Sequence, residues 1–188
     1  MSFKEQYLRG LCKLAHIEDC VEQWQHRAEQ DTGLTEYLGL TREEHKTFLC
    51  GGRDALAALL EPQRRKQRFV LYQLQLDEEN AIPFAFKEIT ALNAAGYEQP
   101  PAAMYYVAGS GEIYCPAEES DDALLKRLFA DCRERLPEGC RGRPMAISDV
   151  VELNHGTKRA YYYVSGQDQF RQVKFSPMLA KKEIPEKT

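Results

Sequence analysis

Six cysteines are spread along the chain, and no two of them stand closer than eight positions. Zinc sites usually take thiolates from C-x-x-C pairs, because one tight turn then presents two ligands to a tetrahedral ion, and the chain has no such pair. Cys12, His16 and Cys20 follow an i, i+4, i+8 spacing and would share one face of an unbroken helix, which would suit a metal ion. Because buried free cysteine is far commoner than a three-ligand helical site, we predict free thiols and no bound metal.

A second set of residues has the types that a thiol enzyme requires. Cys140, Asp149 and His155 would serve as nucleophile, orienting group and base, but a predicted hairpin turn would hold His155 only loosely. Cys50 precedes a Gly-Gly pair and a new helix, a place where a helix N-terminus stabilises a thiolate, although no histidine partner is identifiable from the sequence. The chain has no P-loop, HExxH or GxGxxG motif. We therefore predict no catalytic residues, no cofactor and no enzymatic activity.

Two basic patches and a tyrosine-rich segment are candidates for binding. The first patch runs over Arg64–Arg68, and the second consists of Arg141 and Arg143 on either side of a glycine. Guanidinium groups hold phosphate through paired hydrogen bonds and bases stack on tyrosine rings, so nucleic acid is one candidate ligand. A solvated linker and a surface loop explain the same residues, and we favour that interpretation. The candidate binding residues are Arg141, Arg143, Ser148, Asp149, Glu152, Tyr161 and Tyr163.

Residues 36–44 have the layout of a helix-turn-helix, with a short helix, a glycine turn and a second helix. A recognition helix must approach phosphates, yet the first turn of the second helix carries Glu43 and Glu44 beside Arg42. Residues 1–60 hold seven Lys or Arg against ten Asp or Glu, which opposes DNA binding. The acidic pair is explained well by its place at a helix N-terminus.

The composition is that of an ordinary globular protein. The chain of 188 residues has a formal net charge of −4, a pI near 5.7 and 43% hydrophobic residues. These values exclude a disordered chain, a collagen-like chain and a generally basic nucleic-acid binder. The sequence has no run of about 18 apolar residues and its first residues lack the pattern of a signal peptide, so we expect a cytoplasmic protein with no membrane partner.

Hydrophobic periodicity divides the chain near Pro62. Apolar residues at three- and four-residue steps predict a helical module over 1–61, with breaks at 31–33, Gly39 and Gly51-Gly52 and a capping box that starts at Thr41. We interpret residues 62–68 as a basic linker, 69–177 as an α+β domain and 178–188 as a flexible tail.

Residues 69–177 alternate between strand and helix patterns. Strands are predicted at 69–76, 104–107, 112–115, 150–153, 160–164 and 172–175, and helices at 84–95 and 120–136. A turn is predicted at 109–111 and a hairpin connection at 154–158. The predicted fold class is therefore α+β, a small N-terminal helical module followed by a mixed or antiparallel sheet packed with two main helices.

Several segments of the α+β region have distinctive sequences in a fixed order. They are the strand FVLYQLQL, a helix ending ALNAAGY, the strand MYYV, and MAISDVVEL followed by RAYYYV. Over Arg68–Phe175 this order resembles the YodL-like domain of Gram-positive bacteria. The family often has an Asp after the tyrosine-rich strand and then Gly-Phe, where this chain has SGQDQF at 165–170. Residues 34–48 (LTEYLGLTREEHKTF) resemble a short helical module of phage and conjugative-element proteins.

Both resemblances imply a protein of a mobile genetic element (a conjugative element, plasmid or phage), and neither family implies an established reaction. We expect a non-enzymatic accessory protein that binds a host or element-encoded protein through the sheet face or the Ser148–Leu153 strand. Nucleic-acid binding through Arg64–Arg68 and through Arg141 and Arg143 is the alternative.

Overall fold

The computed structural model describes residues 1–27, 32–77 and 79–182. The chain divides into two compact units, an N-terminal unit of Met1–Lys66 with Ile113–Glu119 and a C-terminal unit of Gln67–Glu112 with the chain from Ser120 onward. No helix in the described ranges is long and apolar enough to cross a membrane. Helices precede a five-stranded sheet, which confirms the α+β fold class.

The described part of the N-terminal unit contains the helices α1 (Phe3–Leu8), α2 (His16–Gln25), α3 (Leu34–Leu38) and α4 (Arg42–Leu60). Their core consists of Phe3, Tyr7, Leu8, Ile17, Leu38, Leu40, Leu56 and Leu60. The helix does not run on from α1 into α2, because Gly10 adopts a φ of 71° after α1. Cys12 therefore lies outside a helix and does not share a helical face with His16 and Cys20. A break between helices is predicted at 31–33, and residue 31 of this segment lies outside the described residues.

Local signals define the start of α4. Gly39 ends α3 with a φ of 71°, in the left-handed region that glycine tolerates. Thr41 Oγ1 accepts from the Glu44 N–H at 3.2 Å, and Glu44 Oε2 accepts from the Thr41 N–H at 2.8 Å. The predicted capping box is thus confirmed. The predicted break at Gly51-Gly52 is confirmed: Gly52 has a φ of 68° and a ψ of −161°, which are not helical, and the kink there separates two helical segments of α4.

Thr41→Ala is expected to lower the free energy of unfolding of the N-terminal unit by about 1 kcal/mol, because the Glu44 N–H loses its side-chain acceptor. Urea denaturation followed by fluorescence measures the change, since the single tryptophan, Trp24, lies in α2. Thr47→Ala, inside α4, is the matched control and is expected to change the stability by less than about 0.5 kcal/mol. Equal losses in the two variants would contradict the capping role.

The C-terminal unit is built on a sheet with the strand order β2-β1-β3-β4-β5. The strands are β1 (Arg64–Leu74), β2 (Tyr105–Pro116), β3 (Val150–His155), β4 (Lys158–Gly166) and β5 (Gln169–Val173). β1 pairs with β3, β3 with β4, and β4 with β5, all antiparallel. Of the two predicted arrangements, mixed or antiparallel, the antiparallel one is found.

Alternate side chains of the sheet lie on two faces. One face packs against α5 (Ile89–Ala94) in a buried cluster that includes Tyr72, Leu74, Leu92, Val150 and Tyr163. The other face meets α6 (Asp121–Cys132), since Tyr162 Oη donates to Asp121 Oδ2 at 2.6 Å. Tyr161 and Tyr163 therefore share the α5 face, and Tyr162 lies on the α6 face.

The basic segment and the predicted glycine turn both belong to strands. Residues 64–68, interpreted above as part of a basic linker, begin β1, and Arg68 pairs with Asn154 of β3. β2 continues through 109–111 without a turn. Glycine serves close packing there, because a Cβ at Gly109 would overlap Cys140 and one at Gly111 would overlap the Phe69 ring.

The predicted helix at 84–95 is shorter in the structure, and one described residue of the predicted tail is hydrogen-bonded to the sheet. The helix is confined to α5, because Phe86 adopts a φ of 58° that no α-helix accommodates. In the predicted tail, the Lys181 N–H donates to Tyr105 O at 2.8 Å, and Val107 N–H donates to Lys181 O at 2.9 Å. The tail is thus hydrogen-bonded to β2 at Lys181, and residues 183–188 lie outside the described residues.

Candidate functional site

Ser148 and Asp149 form a bulge at the start of β3. Both oppose Val164 of β4: the Ser148 N–H donates to Val164 O, and the Val164 N–H donates to Asp149 O, each at 2.9 Å. The Asp149 N–H donates to Ala146 O at 3.2 Å and closes a turn before the strand. Ser148 occupies the bulge position with a φ of 77°, where glycine is usual. Both Ser148 and Asp149 are completely buried.

A second residue in the left-handed region, Phe86, is tied to this bulge. Phe86 has a φ of 58°, and its N–H donates to Ser148 Oγ at 3.1 Å. This conformation costs a residue with a side chain roughly 1–2 kcal/mol. Phe86 is 48% exposed, and the guanidinium carbon of Arg143 lies 4.9 Å from the centre of its ring. A buried serine thus supports an aromatic ring at the surface.

Arg143 joins that ring to a buried carboxylate. Arg143 Nη1 donates to Asp149 Oδ2 at 3.0 Å, and Nη2 donates to Oδ1. The Ala146 N–H adds a third hydrogen bond to the carboxylate at 2.9 Å. Burial raises the pKa of Asp149 to about 6, and Arg143 opposes the rise. The carboxyl group is therefore mainly ionised at neutral pH and forms a bidentate ion pair with Arg143.

Gln73 of β1 completes the hydrogen bonding beneath this loop. Its Nε2 donates to Arg143 O at 2.8 Å and to Asp149 Oδ2 at 3.2 Å, and its Oε1 accepts from the Arg143 N–H at 3.1 Å and from Tyr106 Oη at 3.0 Å. Gln73 is fully buried, and a Cβ at Gly142 would overlap its Oε1. The loop therefore needs glycine there. We name the set the Arg143 network: Gln73, Phe86, Arg143, Ser148 and Asp149.

The seven candidate binding residues separate in the structure. Arg143, Ser148 and Asp149 come together in the Arg143 network. Tyr163 borders it, because Tyr163 Oη donates to Lys87 O at 2.9 Å, next to Phe86 in the chain. Arg141, Glu152 and Tyr161 are not members: Arg141 is exposed on the loop, Glu152 lies along β3 and Tyr161 along β4. The Ser148–Leu153 segment cannot pair with a partner strand, since β3 already pairs with β1 and β4.

The residues of the candidate thiol site do not converge. Asp149 and His155 lie at opposite ends of β3, roughly 20 Å apart at 3.3 Å per residue. His155 Nε2 lies 3.0 Å from Asp121 Oδ2, and Cys140 Sγ lies 3.8 Å from Ser110 O. Burial raises the pKa of Cys140, which disfavours its thiolate. Within the part of the chain that the structure describes, no group of three or more His, Cys, Asp or Glu residues could hold a metal ion.

The basic patches are largely engaged in internal contacts. Arg64 Nη2 donates to Glu61 Oε1 at 2.7 Å, and Arg65 Nη2 donates to a backbone oxygen at 2.8 Å. Arg143 of the second patch is paired with Asp149. Arg68 keeps a side chain that is 71% exposed, so it is the arginine of the first patch best placed to meet a ligand.

Two residues of the Arg143 network, Gln73 and Phe86, are not among the candidate residues predicted from the sequence. Gln73 interrupts the apolar strand pattern of β1, and a polar residue at such a position signals a buried hydrogen-bonding partner. Phe86 carries no such signal, because neither its type nor its neighbours indicate a left-handed backbone. Its role follows only from the hydrogen bond to Ser148, 62 positions away.

The chain matches the model of a known protein family. The family model of the YodL-like domain matches residues 68–175, which is the span of the sequence resemblance. This span includes β3, β4, β5 and every member of the Arg143 network. Neither a curated protein nor a solved structure matches the chain.

Proposed function

Because the chain belongs to the YodL-like domain family, we propose that it is a non-enzymatic accessory protein of a mobile genetic element that binds another protein in the cytoplasm. The resemblance of its sequence to domains found in conjugative elements, plasmids and phages supports the mobile-element context. The separation of Cys140, Asp149 and His155 supports a role without catalysis.

The exposed ring of Phe86 is the observation that carries this proposal. Glycine would adopt the left-handed backbone conformation of position 86 at lower energetic cost. We therefore infer that the phenylalanine is present for its ring. Because Phe86 is 48% exposed, the role of the ring is not to pack in the core. Strained residues held by a buried network occur at binding sites, and aromatic residues and arginine are enriched at protein interfaces.

The chemistry of this surface indicates the complementary partner. Ile82, four residues before Phe86, is 62% exposed and adds apolar area. Arg143 stacks on the ring with its side chain 21% exposed, so a partner can reach its edge. The partner should therefore offer an apolar pocket for Phe86 with an acidic or carbonyl group beside it.

A photoreactive phenylalanine analogue at position 86 is expected to form one discrete cross-link to a protein in Gram-positive cells that carry the element. The matched control has the analogue at Gln172, an exposed position on β5, and should give no such product. Equal cross-linking at both positions, or none at position 86, would contradict the proposal. A nuclease-sensitive product at position 86 would favour the nucleic-acid alternative instead.

Phe86→Gly separates binding from folding in the same assay. Relief of the left-handed strain offsets the lost stack on Arg143, so the free energy of unfolding should stay within about 1 kcal/mol of the wild-type value. Partner capture should nevertheless fall at least tenfold. If the folded variant retains binding, Phe86 is not the anchor, and loss of folding would contradict the expected relief of strain.

A further inference from the structure

A polar cleft of about 250 Å³ lies at the end of β3 opposite the Arg143 network. Arg68 on β1, Asn154 on β3 and Arg159 on β4 stand directly opposite one another in the sheet register, and all three line the cleft. With neighbouring strands about 4.8 Å apart, the two arginine Cα atoms lie roughly 10 Å from each other, with Asn154 between them. We name this the Arg68–Arg159 cleft.

Asn154 contributes an acceptor without a donor. Its Oδ1 atom is buried, and no residue of the described ranges donates a hydrogen bond to it. Its backbone oxygen, by contrast, accepts from Gln67 Nε2 at 2.8 Å. A buried acceptor without a partner costs about 1–3 kcal/mol. Since Asn154 lines the cleft, a turn of its side chain would bring this oxygen to a ligand bound there, and the ligand would gain by presenting an N–H or O–H group to it.

Glu152, another lining residue, is 3% exposed, and its charge is balanced locally. Glu152 Oε2 accepts from Tyr72 Oη at 2.7 Å, and Oε1 lies 3.4 Å from Arg159 Nε. Burial, with the hydrogen bond to Glu152, raises the pKa of Tyr72 above its ordinary value, so Tyr72 remains a donor at neutral pH. The carboxylate therefore does not reverse the positive charge at the cleft rim.

Arg68 supplies that positive charge. Arg68 Nε lies 3.6 Å from Glu112 Oε1, and the two side chains are 71% and 41% exposed. An exposed ion pair of this length contributes little, so a ligand with more charge than one carboxylate can take the place of Glu112. A phosphate group has a charge of about −1.5 to −2 at neutral pH and three strong acceptor oxygens. Phosphate is therefore the acid group that best fits two guanidinium groups here.

We propose that the Arg68–Arg159 cleft binds a small phosphorylated molecule. The phosphate lies between Arg68 and Arg159, and a hydroxyl or N–H group next to it donates to Asn154 Oδ1. The volume of about 250 Å³ leaves room for a sugar or a base beside the phosphate. This site uses none of the residues of the Arg143 network, so it stands apart from the proposed protein-binding surface.

Titration of the full chain with AMP at low salt tests the proposal. The ¹H–¹⁵N NMR signals of the Arg68 and Arg159 guanidinium groups and of the Asn154 side-chain amide should shift and saturate. Inorganic phosphate should shift the same signals with weaker binding, and adenosine should shift none. Arg68→Gln should weaken AMP binding at least tenfold, while Arg171→Gln, an exposed arginine on β5, should leave it unchanged.

Asn154→Asp tests whether the cleft binds an anion. The substitution preserves the shape of the side chain and adds a negative charge between the two arginines, so AMP binding should be lost while the chain stays folded. Spermidine that shifts the same signals of the wild-type chain more strongly than AMP does would show a cation site and overturn the proposal. AMP binding that survives in both Arg68→Gln and Asn154→Asp, or binding of oligonucleotides without AMP or phosphate, would also overturn it.

Discussion

Asp149→Ala is expected to lower the free energy of unfolding of the C-terminal unit by about 3–5 kcal/mol. Asp149 is completely buried. Without its carboxylate the Arg143 guanidinium loses its counter-charge and the Ala146 N–H loses its side-chain acceptor, and water cannot fully replace either interaction. Urea denaturation at pH 7.5 followed by far-UV circular dichroism measures the loss. Tryptophan fluorescence is unsuitable, because Trp24 lies in the N-terminal unit.

Two further variants test whether the loss arises from the ion pair. The combined Arg143→Met, Asp149→Leu variant should recover at least half of it, because both charges are removed together. Asp122→Ala is the control: Asp122 Oδ2 lies 2.7 Å from Lys126 Nζ on the surface of α6, and this change should cost less than about 1 kcal/mol. If Asp149→Ala is no more destabilising than Asp122→Ala, the buried pair does not hold the loop.

The pH dependence of the Asp149 contribution has a defined sign. Burial raises the pKa of Asp149 from 3.8 to about 6, so the folded chain binds this proton more tightly than the unfolded chain. The stability linked to that proton is complete below pH 3.8 and is lost as the pH rises through about 6. The difference in free energy of unfolding between the wild-type chain and Asp149→Ala should therefore widen as the pH falls from 7 to 4. A constant difference would show an unshifted pKa.

Features that depend on a few neighbouring residues could be predicted from the sequence. Thr41 and Glu44 are three positions apart, and their reciprocal hydrogen bonds need only the local backbone of a helix start. Gly39 ends α3 for an equally local reason, because the left-handed residue lies directly after the helix. The α+β class follows in the same way from the change of hydrophobic period near Pro62.

Features that depend on distant neighbours could not be predicted. Gly109 and Gly111 suggest a turn when read locally, but they lie in β2 where Cys140 and Phe69 occupy the space of a side chain. Arg68 likewise suggests a linker until the pairing with Asn154 of β3 is known. In both cases the long-range pairing of the sheet overrides the local preference.

The candidate site shows the same difference between residues that are close in the sequence and residues that are distant in it. Arg143, Ser148 and Asp149 fall within seven positions, and the sequence predicts all three as binding residues. Gln73 and Phe86 reach them across 70 and 62 positions, so no local pattern connects them. The sequence therefore predicts the residues of the loop that leads into β3. Their partners Gln73 and Phe86 are known only from the fold.

Gln73→Leu is expected to lower the free energy of unfolding of the C-terminal unit by about 3 kcal/mol. Leucine is similar in size, so the main effect is the loss of hydrogen bonds to the Arg143 N–H, the Arg143 carbonyl and Tyr106 Oη. Each group left unpaired in a buried place costs about 1–3 kcal/mol, and partial access of water reduces the sum. Gln172→Leu, at an exposed position of β5, is the matched control and should change the stability by less than about 0.5 kcal/mol.

Combining Gln73→Leu with Asp149→Ala tests whether Gln73 and Asp149 act as one unit. Both hold the loop around Arg143, so once either change has released the loop the second has less left to disrupt. The loss in the double variant should therefore be at least 1 kcal/mol smaller than the sum of the single losses. Hydrogen exchange at residues 141–146 should rise in each single variant and rise little further in the double. Additive losses would mean that Gln73 stabilises β1 independently of the loop, and Phe86 would then depend on Ser148 alone for its position.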